Sequence, residues 1–583
     1  MIRIKDHKQL DMFDPWDFLS PKRRRMLDED WPGLFKQHLL CQLPVNQIRP
    51  FFTEGFGRPG KELYTLLGAL LLQQTMDLND YDTVRQLAFN IEWHYALNIT
   101  EESDQAKYIC EKTIWSWRQI LIEHNLDQLM FENLTDKLAR TFKVNTDQQR
   151  IDSVHIKSNM RKLGRIGIFC QSINKFLTNL KRHQKDFFQT VSDQLLERYG
   201  SRKSLAAFSL VKPSESSKTL QQVSADLYDL IEQFKDKDVV CAMHSYKLMQ
   251  RVLNEQCNVE SDDNAAKVTV KPPKQIACDS LQNPSDPDAT YSGHKGQGYQ
   301  VQIMETFTRC EDQKEKEQTL NLITHVAVEK ACEHDSDAMI PAIEDTQKRN
   351  LAPKSVVADT LYGSDNNHRA AKARQVDLIA PTFKGKKSNG LDNSHFTYDD
   401  TGRVISCPAG HSPVRVNFKK KTKRFIARFD SNKCQGCPHL DQCPVRARKS
   451  NHFLYYSEKE YRMAVRRAAE ASQAFIDTYR WRAGVEATMS QYDRLTGVKR
   501  LRVRGFKPVR YCATLKAVGL NLLRAAMVRT ARMRARRDQT GCSLDLQLPF
   551  PFIKERICAF VANNGRFCLA STGWADAFGK LAA

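Results

Sequence analysis

Between residues 298 and 382 the sequence changes periodicity several times, and few architectures accept that order. GYQVQIMETF (298–307) and LNLITHVAVEKA (320–331) have strand character. SDAMIPAIEDTQKRN then reads as a helix, SVVADTLYG as a strand, NNHRAAKAR as a helix and DLIAPTF as a strand. Strands followed by alternating helices and strands predict an α/β layer, in which helices cover a sheet. One more strand is expected far upstream, where RIDSVHIK (150–157) alternates over a short run and carries Asp152.

Around this sheet the chain reads as helical. Residues 34–146 place apolar residues at helical spacing through ELYTLLGALLLQQTMDLNDYDTVRQLAFNIEWHYAL and TIWSWRQILIEHNLDQLMFENLTDKLAR. Gly57, Arg58 and Pro59 mark the entrance, and Asn79 to Asp82 form a turn and N-cap. Two short helices followed by TIWSWRQIL suit a helix-turn-helix reader of DNA, although most helical hairpins bind nothing. A second helical block fills 166–256. There Ile173, Phe176, Leu177 and Leu180, then Val223, Leu227, Leu230, Ile231 and Phe234, mark buried stripes, and VKPSESSK (211–218) joins the halves.

The balance of 89 Lys and Arg against 68 Asp and Glu leaves a formal charge of +21, for which a polyanionic partner is the economical explanation. The excess is densest from Arg494 to Arg537, which holds fourteen Lys or Arg and no Asp or Glu, interleaved with Leu515, Leu520, Leu522 and Leu523. Phosphate backbone is the natural ligand of such a surface; a solvated basic face or an anionic membrane is the alternative. No segment approaches the apolar span of about 20 residues that crosses a bilayer, and MIRIKDHKQLDMFD lacks the apolar core of a signal peptide. A cytoplasmic, nucleoid-associated protein without membrane contact is expected.

The sixteen cysteines are then reduced thiols rather than a disulfide framework, and Cys41, Cys170 and Cys332 read as small core residues. Four differ. CPAGH (407–411) and CQGCPHLDQC (434–443) set Cys407, Cys434, Cys437 and Cys443 as a C-x2-C pair with two flanking thiols, suited to a structural Zn²⁺, with His411 and His439 as alternates for one ligand. A metal would hold in shape a segment with little core; free thiols in a loop are the other reading. VRVNFKKKTKRFIARFD, between the two motifs, reads as a basic hairpin able to lie against DNA.

Three acids stand out by position: Asp152 in the first strand, Asp359 at the end of SVVADTLYG, and Glu486 in TYRWRAGVEATMSQYDRL (478–495). In that last helix Tyr479, Arg482, Glu486 and Asp493 share one polar face. The bland reading is a solvated face with Arg482 and Glu486 paired at i,i+4. The chemical reading is a site for two Mg²⁺ or Mn²⁺ ions, since carboxylates on strands with a third on a crossing helix supply the hard oxygen ligands that phosphoryl transfer needs. Asp286 and Asp288 in SDPDA are better explained as caps of a Pro-containing turn, and Lys295 in the following turn is a candidate phosphate contact.

Tyr479 to Glu486 matches the Y-x2-R-x3-E motif of bacterial insertion-sequence transposases of the DDE type, whose catalytic core is RNase H-like. SDPDATYSGHKGQGYQVQ (285–302) and VVADTLYGSDNNHRAA (356–371) resemble two further blocks of that family, and IDSVHIKSN resembles its first-acid strand. GRPGKELYTLLGALLLQQTMDLNDYDTVRQLAFN is similar to its helical amino-terminal domain. The resemblance implies that Asp152, Asp359 and Glu486 form a catalytic triad holding Mg²⁺ or Mn²⁺, and that Tyr479 and Arg482 touch the DNA backbone beside the cut. Where the family continues with Lys seven residues after the Glu, this chain has Asp493 and then Arg494. Arg494 or Lys499 would take over that DNA contact, with Arg500, Arg502 and Arg504 following on the same basic run.

The expected architecture is an α/β, RNase H-like core, a mixed sheet flanked by helices. Its parts would be a helical DNA-binding domain (1–147), the first core strand (148–165), a helical insertion (166–270), the core continued (271–385), a basic zinc-ribbon-like insertion (386–455), the Glu helix with basic C-terminal helices (456–540) and a tail (541–583). The expected function is a DNA transposase that cuts double-stranded DNA at terminal inverted repeats and joins it to target DNA, as a homodimer or higher assembly. A catalytically inactive DNA-binding derivative, and an RNase H-like nuclease that cuts without joining, are the alternatives.

Overall fold

The computed structural model describes residues 3–540 apart from 10–11, 13, 52–59, 263–264, 384–389 and 449–450. The entrance at Gly57 to Pro59 and the tail 541–583 lie outside the described residues.

The sheet is organised around β1 (Gln148–Lys157), the strand expected at RIDSVHIK. β1 pairs antiparallel with β2 (Gly296–Thr306) over nine residue pairs, from Gln149 opposite Thr306 to Lys157 opposite Gly298. On its other side β2 pairs antiparallel with β3 (Ile323–Lys330) and, at its start, with the short strand Thr290–Ser292. Beyond β1, β4 (Ser355–Val357) and β5 (Asp377–Ile379) add in parallel. The order β3-β2-β1-β4-β5 is therefore a mixed sheet, antiparallel on one side of β1 and parallel on the other.

Period-two alternation sends Val154, Ile156, Val301 and Ile303 to one face and Ile151, Met304 and Val356 to the other. The second face is covered by α6 (Met339–Lys348) and α7 (Asp365–Ala373). The first shares one core with α1 (Leu63–Thr75), α2 (Leu126–Phe142), α9 (Gly484–Thr496) and the long α10 (Phe506–Thr540). Every residue of α1 except Tyr64 is buried, which is why its sequence is apolar all round rather than along a stripe. Buried Asn521 of α10 donates to the carbonyl of Ile323 and accepts from its N–H, both at 2.8 Å. That amide bolts α10 to the start of β3, satisfying backbone groups that would otherwise be orphaned.

The basic run from Arg494 to Arg537 is only partly a solvated face. Leu515, Leu520 and Leu522 lie in the shared core, and several cations of the run are spent inside the fold. Lys516, 1% exposed, pairs with Asp77 at 2.8 Å, Arg510 with Asp127 at 3.0 Å and Arg524 with Glu305 at 2.9 Å; Arg537 pairs with Glu29. The local absence of acids misleads because the neutralising carboxylates come from other segments.

Two excursions leave the core. Between β1 and β2 the chain forms α3 (Arg165–His183), α4 (Ser216–Phe234) and α5 (His244–Gln256), which enclose a core of their own containing all nine expected stripe residues. An antiparallel hairpin, Cys257–Asp262 with Ala265–Val270, closes it, a strand pair that helical periodicity does not predict. After β5 comes a small sheet of order β6-β7-β9-β8, from β6 (Arg415–Lys419), β7 (Arg424–Asp430), β8 (Arg446–Arg448) and β9 (Asn451–Ser457). It packs its inner face on Phe396, Val404, Phe425, Ala427, Phe429, Leu454 and Tyr456. This segment thus has an apolar core of its own, more than the little core expected. A capping box between Ser457 and Glu460 starts α8 (Glu458–Ala469), which returns the chain to the core. Among the described residues no helix is long and apolar enough to cross a membrane.

Candidate active site

Asp152 and Asp359 reach the same side of the sheet by strand parity. Arg150 on β1 is opposite Val357 on β4, and each acid stands two residues further along its strand direction. Asp359 follows the last residue of β4, and its carboxylate caps a 3-10 turn by accepting from the Leu361 N–H at 2.8 Å. Asp152 accepts from the N–H of Ser153 at 2.8 Å.

α9 crosses this face. Val485, Met489, Tyr492 and Thr496, at spacings of four, three and four, are its buried stripe, and Glu486 projects beside that stripe with its side chain 69% exposed. Gly497, in the left-handed region at φ +66°, ends the helix and donates to the Asp493 carbonyl at 2.7 Å. The turn preceding α9 supplies Arg482, whose guanidinium donates to Asp152 Oδ2 at 3.1 Å and to Glu486 Oε1 at 3.3 Å. The sequence pairing of Arg482 with Glu486 is present, and the same side chain also holds the strand acid.

Charge accumulates here. Burial pushes the Asp152 carboxyl up, with Asp359 and Asp335 adding to the rise and Arg482 opposing it. Burial opposes ionisation of Arg482, but Asp152, Tyr479, Asp359 and Glu486 outweigh it, so its pKa is raised. Burial likewise raises the Tyr479 phenol, and its ring stacks on Phe475 with centroids 5.5 Å apart.

A buried ion cluster fixes α9 against the sheet. Glu305 of β2 is 0% exposed. It accepts from Arg150 at 2.7 Å, from Thr488 of α9 at 2.7 Å and from Arg524 of α10 at 2.9 Å. Arg150 also donates to the Trp481 carbonyl at 2.7 Å, so one guanidinium two residues before Asp152 grips the turn that bears Arg482. A Cβ at position 484 would collide with that guanidinium, which explains the glycine at the start of the helix. Burial alone would raise the Glu305 carboxyl; Arg150 and Arg524 outweigh it and hold it below the usual range. Glu305, Arg150, Arg524 and Asp335 are absent from the sequence expectations. The alternation of GYQVQIMETF gives one signal, since it places a carboxylate on the apolar face of a strand.

The other predicted contacts are dispersed. Lys295 donates to Ser153 Oγ at 2.8 Å, to Gln300 at 3.1 Å and to Asp335 at 3.2 Å, engaged in a polar network beside the site. Lys499 pairs with Asp493 at 3.6 Å, and Arg502 with Asp77 at 2.9 Å. Arg494, Arg500 and Arg504 are exposed. Asp286 is buried and accepts from Tyr299 at 2.6 Å and from the Gly505 N–H at 3.0 Å, while Asp288 accepts from the Phe506 N–H at 2.9 Å; rather than capping their own turn, they hold the distant start of α10.

In the small sheet domain Cys407, Cys434, Cys437 and Cys443 line one cavity of about 20 Å³ together with His411. Burial and then the other three thiols push Cys434 up to about 11. Among the described residues no group of three or more His, Cys, Asp or Glu side chains is arranged to hold a metal ion, so neither the carboxylates nor the thiols form a closed ligand set.

Two families match the chain. One, described as Transposase DDE domain, covers residues 406–526, including the small sheet, the Arg482 turn and α9. The other, described as Transposase domain (DUF772), covers residues 40–120, including α1. Together the two matches support a DDE-type transposase of insertion-sequence type. No curated protein matches it. The DDE domain implies an RNase H-like core, with which the mixed sheet is compatible. Glu486 falls within the DDE match, whereas Asp152 and Asp359 precede it.

Proposed function

We propose that this transposase cuts double-stranded DNA at the ends of an insertion sequence and joins the freed 3′-hydroxyl to target DNA, with Asp152, Asp359 and Glu486 as its catalytic acids. The observation that carries the reading is the Arg482 guanidinium, which bonds Asp152 of β1 and Glu486 of α9 while Asp359 lies near enough to add its charge. In cleavage, a water oxygen bonds to phosphorus as the 3′-oxygen leaves; in joining, that 3′-hydroxyl attacks a target diester and displaces another 3′-oxygen. Diesters are exchanged, so neither nucleotide hydrolysis nor a protein nucleophile is required.

The donor chemistry fits a divalent cation, because three carboxylates offer hard oxygens beside a face open at Glu486. Bound Mg²⁺ or Mn²⁺ would supply activation of the attacking hydroxyl. Arg482 shares oxygens with that ligand set, so it has to turn from the acids toward the DNA. Its Nε is buried and without an acceptor among the described residues, and a phosphate oxygen would satisfy it. Tyr479 would flank the same phosphate, and exposed Arg494, Arg500 and Arg504, with Lys499, Arg502 and Lys295, would follow the backbone. Two ends must be paired before joining, which calls for a homodimer or higher assembly, located with its DNA at the nucleoid.

We assign a structural Zn²⁺ to Cys407, Cys434, Cys437 and Cys443. Four thiols around one small cavity, where burial and then the other three push Cys434 up, are the arrangement a cation relieves. Protein purified without chelator should contain about one Zn per chain, and absence of zinc would refute this assignment.

The function itself is tested with purified protein and DNA bearing the element's ends. Metal-dependent cleavage and joining that are lost in Glu486→Ala are expected; equal activity in the two proteins, or none in either with Mg²⁺ or Mn²⁺, would overturn it.

A further inference from the structure

The small sheet presents an outer face whose composition differs from every other surface described above. Register fixes which side chains share it, because directly opposed residues of antiparallel strands project to one side. Arg415 is opposite Arg428, Arg428 opposite Phe453, and Phe453 opposite Arg446, so these four form one row across β6, β7, β9 and β8. The neighbouring row is Asn417, Ile426 and Tyr455, and the next is Lys419, Arg424 and Ser457. The intervening residues Phe425, Ala427, Phe429, Leu454 and Tyr456 point inward and are buried.

Six cations on this face, Arg415, Lys419, Arg424, Arg428, Arg446 and Arg448, are exposed, and no ion pair among the described residues engages them. At the centre Phe453 and Tyr455 are only half-buried, their rings stacked with centroids 6.1 Å apart, and Arg448 lies 5.8 Å over the Tyr455 ring. Duplex backbone binding needs the cations but has no use for two aromatic rings set among them. A flat sheet with a central aromatic pair and a cationic surround suits unpaired bases, which stack on rings and guanidinium planes while phosphates meet the charges.

We propose that the outer face of this sheet binds a single-stranded segment of DNA, bases stacking on Phe453 and Tyr455 and phosphates held by the surrounding Arg and Lys. The proposal rests on the transposase reading for its source of unpaired DNA, since a strand cut at an element end has a free terminus that can peel away from its complement.

The test uses the full chain with no added Mg²⁺ or Mn²⁺ and no chelator, so no cleavage is required and a failure of the catalytic reading does not affect the result. Fluorescence anisotropy would compare a labelled oligothymidylate of about 20 nucleotides with a duplex of the same length. Tyr455→Leu and Phe453→Leu are each expected to weaken oligothymidylate binding about tenfold and to change duplex binding less than about twofold, while Tyr455→Phe binds as wild type. Arg428→Ala should weaken both and lower the salt slope by about one. The proposal is overturned if stably folded Tyr455→Leu and Phe453→Leu bind the oligonucleotide as wild type does. It is equally overturned if they lose duplex and single strand to the same extent, which would make the face a duplex-backbone surface.

Discussion

The C-terminal helix and the small β-sheet are both rich in arginine and lysine, and they use that charge in opposite ways. In α10, Arg510, Lys516 and Arg524 turn inward and meet Asp127, Asp77 and Glu305. On the sheet, Arg415, Lys419, Arg424 and Arg428 face water with no acid opposite. The difference lies in the partners brought by the fold rather than in the charge of the segment. A buried guanidinium with a carboxylate and a hydroxyl around it acts as a structural fastener, whose loss exposes its partners to an uncompensated environment. An unpaired surface guanidinium contributes little to stability and remains available to a polyanion.

The contrast is broken most severely at Glu305. Glu305→Gln leaves Arg150 and Arg524 facing each other without their carboxylate, and should destabilise the protein by about 3–5 kcal/mol in urea or thermal unfolding. A loss below about 1 kcal/mol would mean that the interior cations are no more structural than those of the sheet. Gly484→Ala comes next. Helix propensity favours alanine by about 1 kcal/mol, yet the added methyl meets the Arg150 guanidinium. Net destabilisation of about 1–3 kcal/mol is expected, with DNA cleavage falling because the Arg482 turn shifts.

Acidity sharpens the same comparison. Arg150 and Arg524 depress the Glu305 pKa, so the unfolded chain binds this proton more readily than the folded one does. The stabilisation is complete above the ordinary carboxylate value of about 4.3 and is lost as pH falls through the depressed folded value. Stability measured on the acid side should therefore fall less steeply in Glu305→Gln than in wild type. At the small end, Lys419→Ala and Arg424→Ala should alter stability by less than about 0.5 kcal/mol while each reduces the salt slope of DNA binding by about one. A melting temperature that drops sharply in either variant would place these side chains with the interior set.

Much of the fold was legible because it depends on local periodicity. The strand bearing Asp152, the strand–helix–strand order that places Asp359, and the stripes of α3 and α4 all follow from spacing within a dozen residues. Of the polar stripe expected on one helix, Glu486 and Asp493 lie on α9 while Tyr479 ends an earlier helix and Arg482 sits in the 3-10 turn between; Arg482 still meets Glu486 as spacing predicts. Contacts between distant segments could not be read in this way. Nothing around Arg524 points to Glu305, and nothing around Lys516 points to Asp77, so a run without acids looked like a surface when half of it is core. Gly484 was similarly opaque, since its reason is a guanidinium on a strand far upstream. In the small sheet, the alternation of HFLYYS was present in the sequence, but the neighbouring cysteines drew attention to metal instead of to a core on one side and rings on the other.

The excursions between acid-bearing elements also give the site a history. Arg482 and Asp152 touch across 330 positions of sequence, so a nascent chain has already built the sheet strands and both excursions before α9 leaves the ribosome. Domains fold as they emerge, and Asp152 on β1 waits for its Arg482 partner while the intervening chain is made. A chain whose translation stops before α9 would carry Glu305 in the sheet without the Thr488 that donates to it, so the face that α9 crosses stays uncovered until late in synthesis.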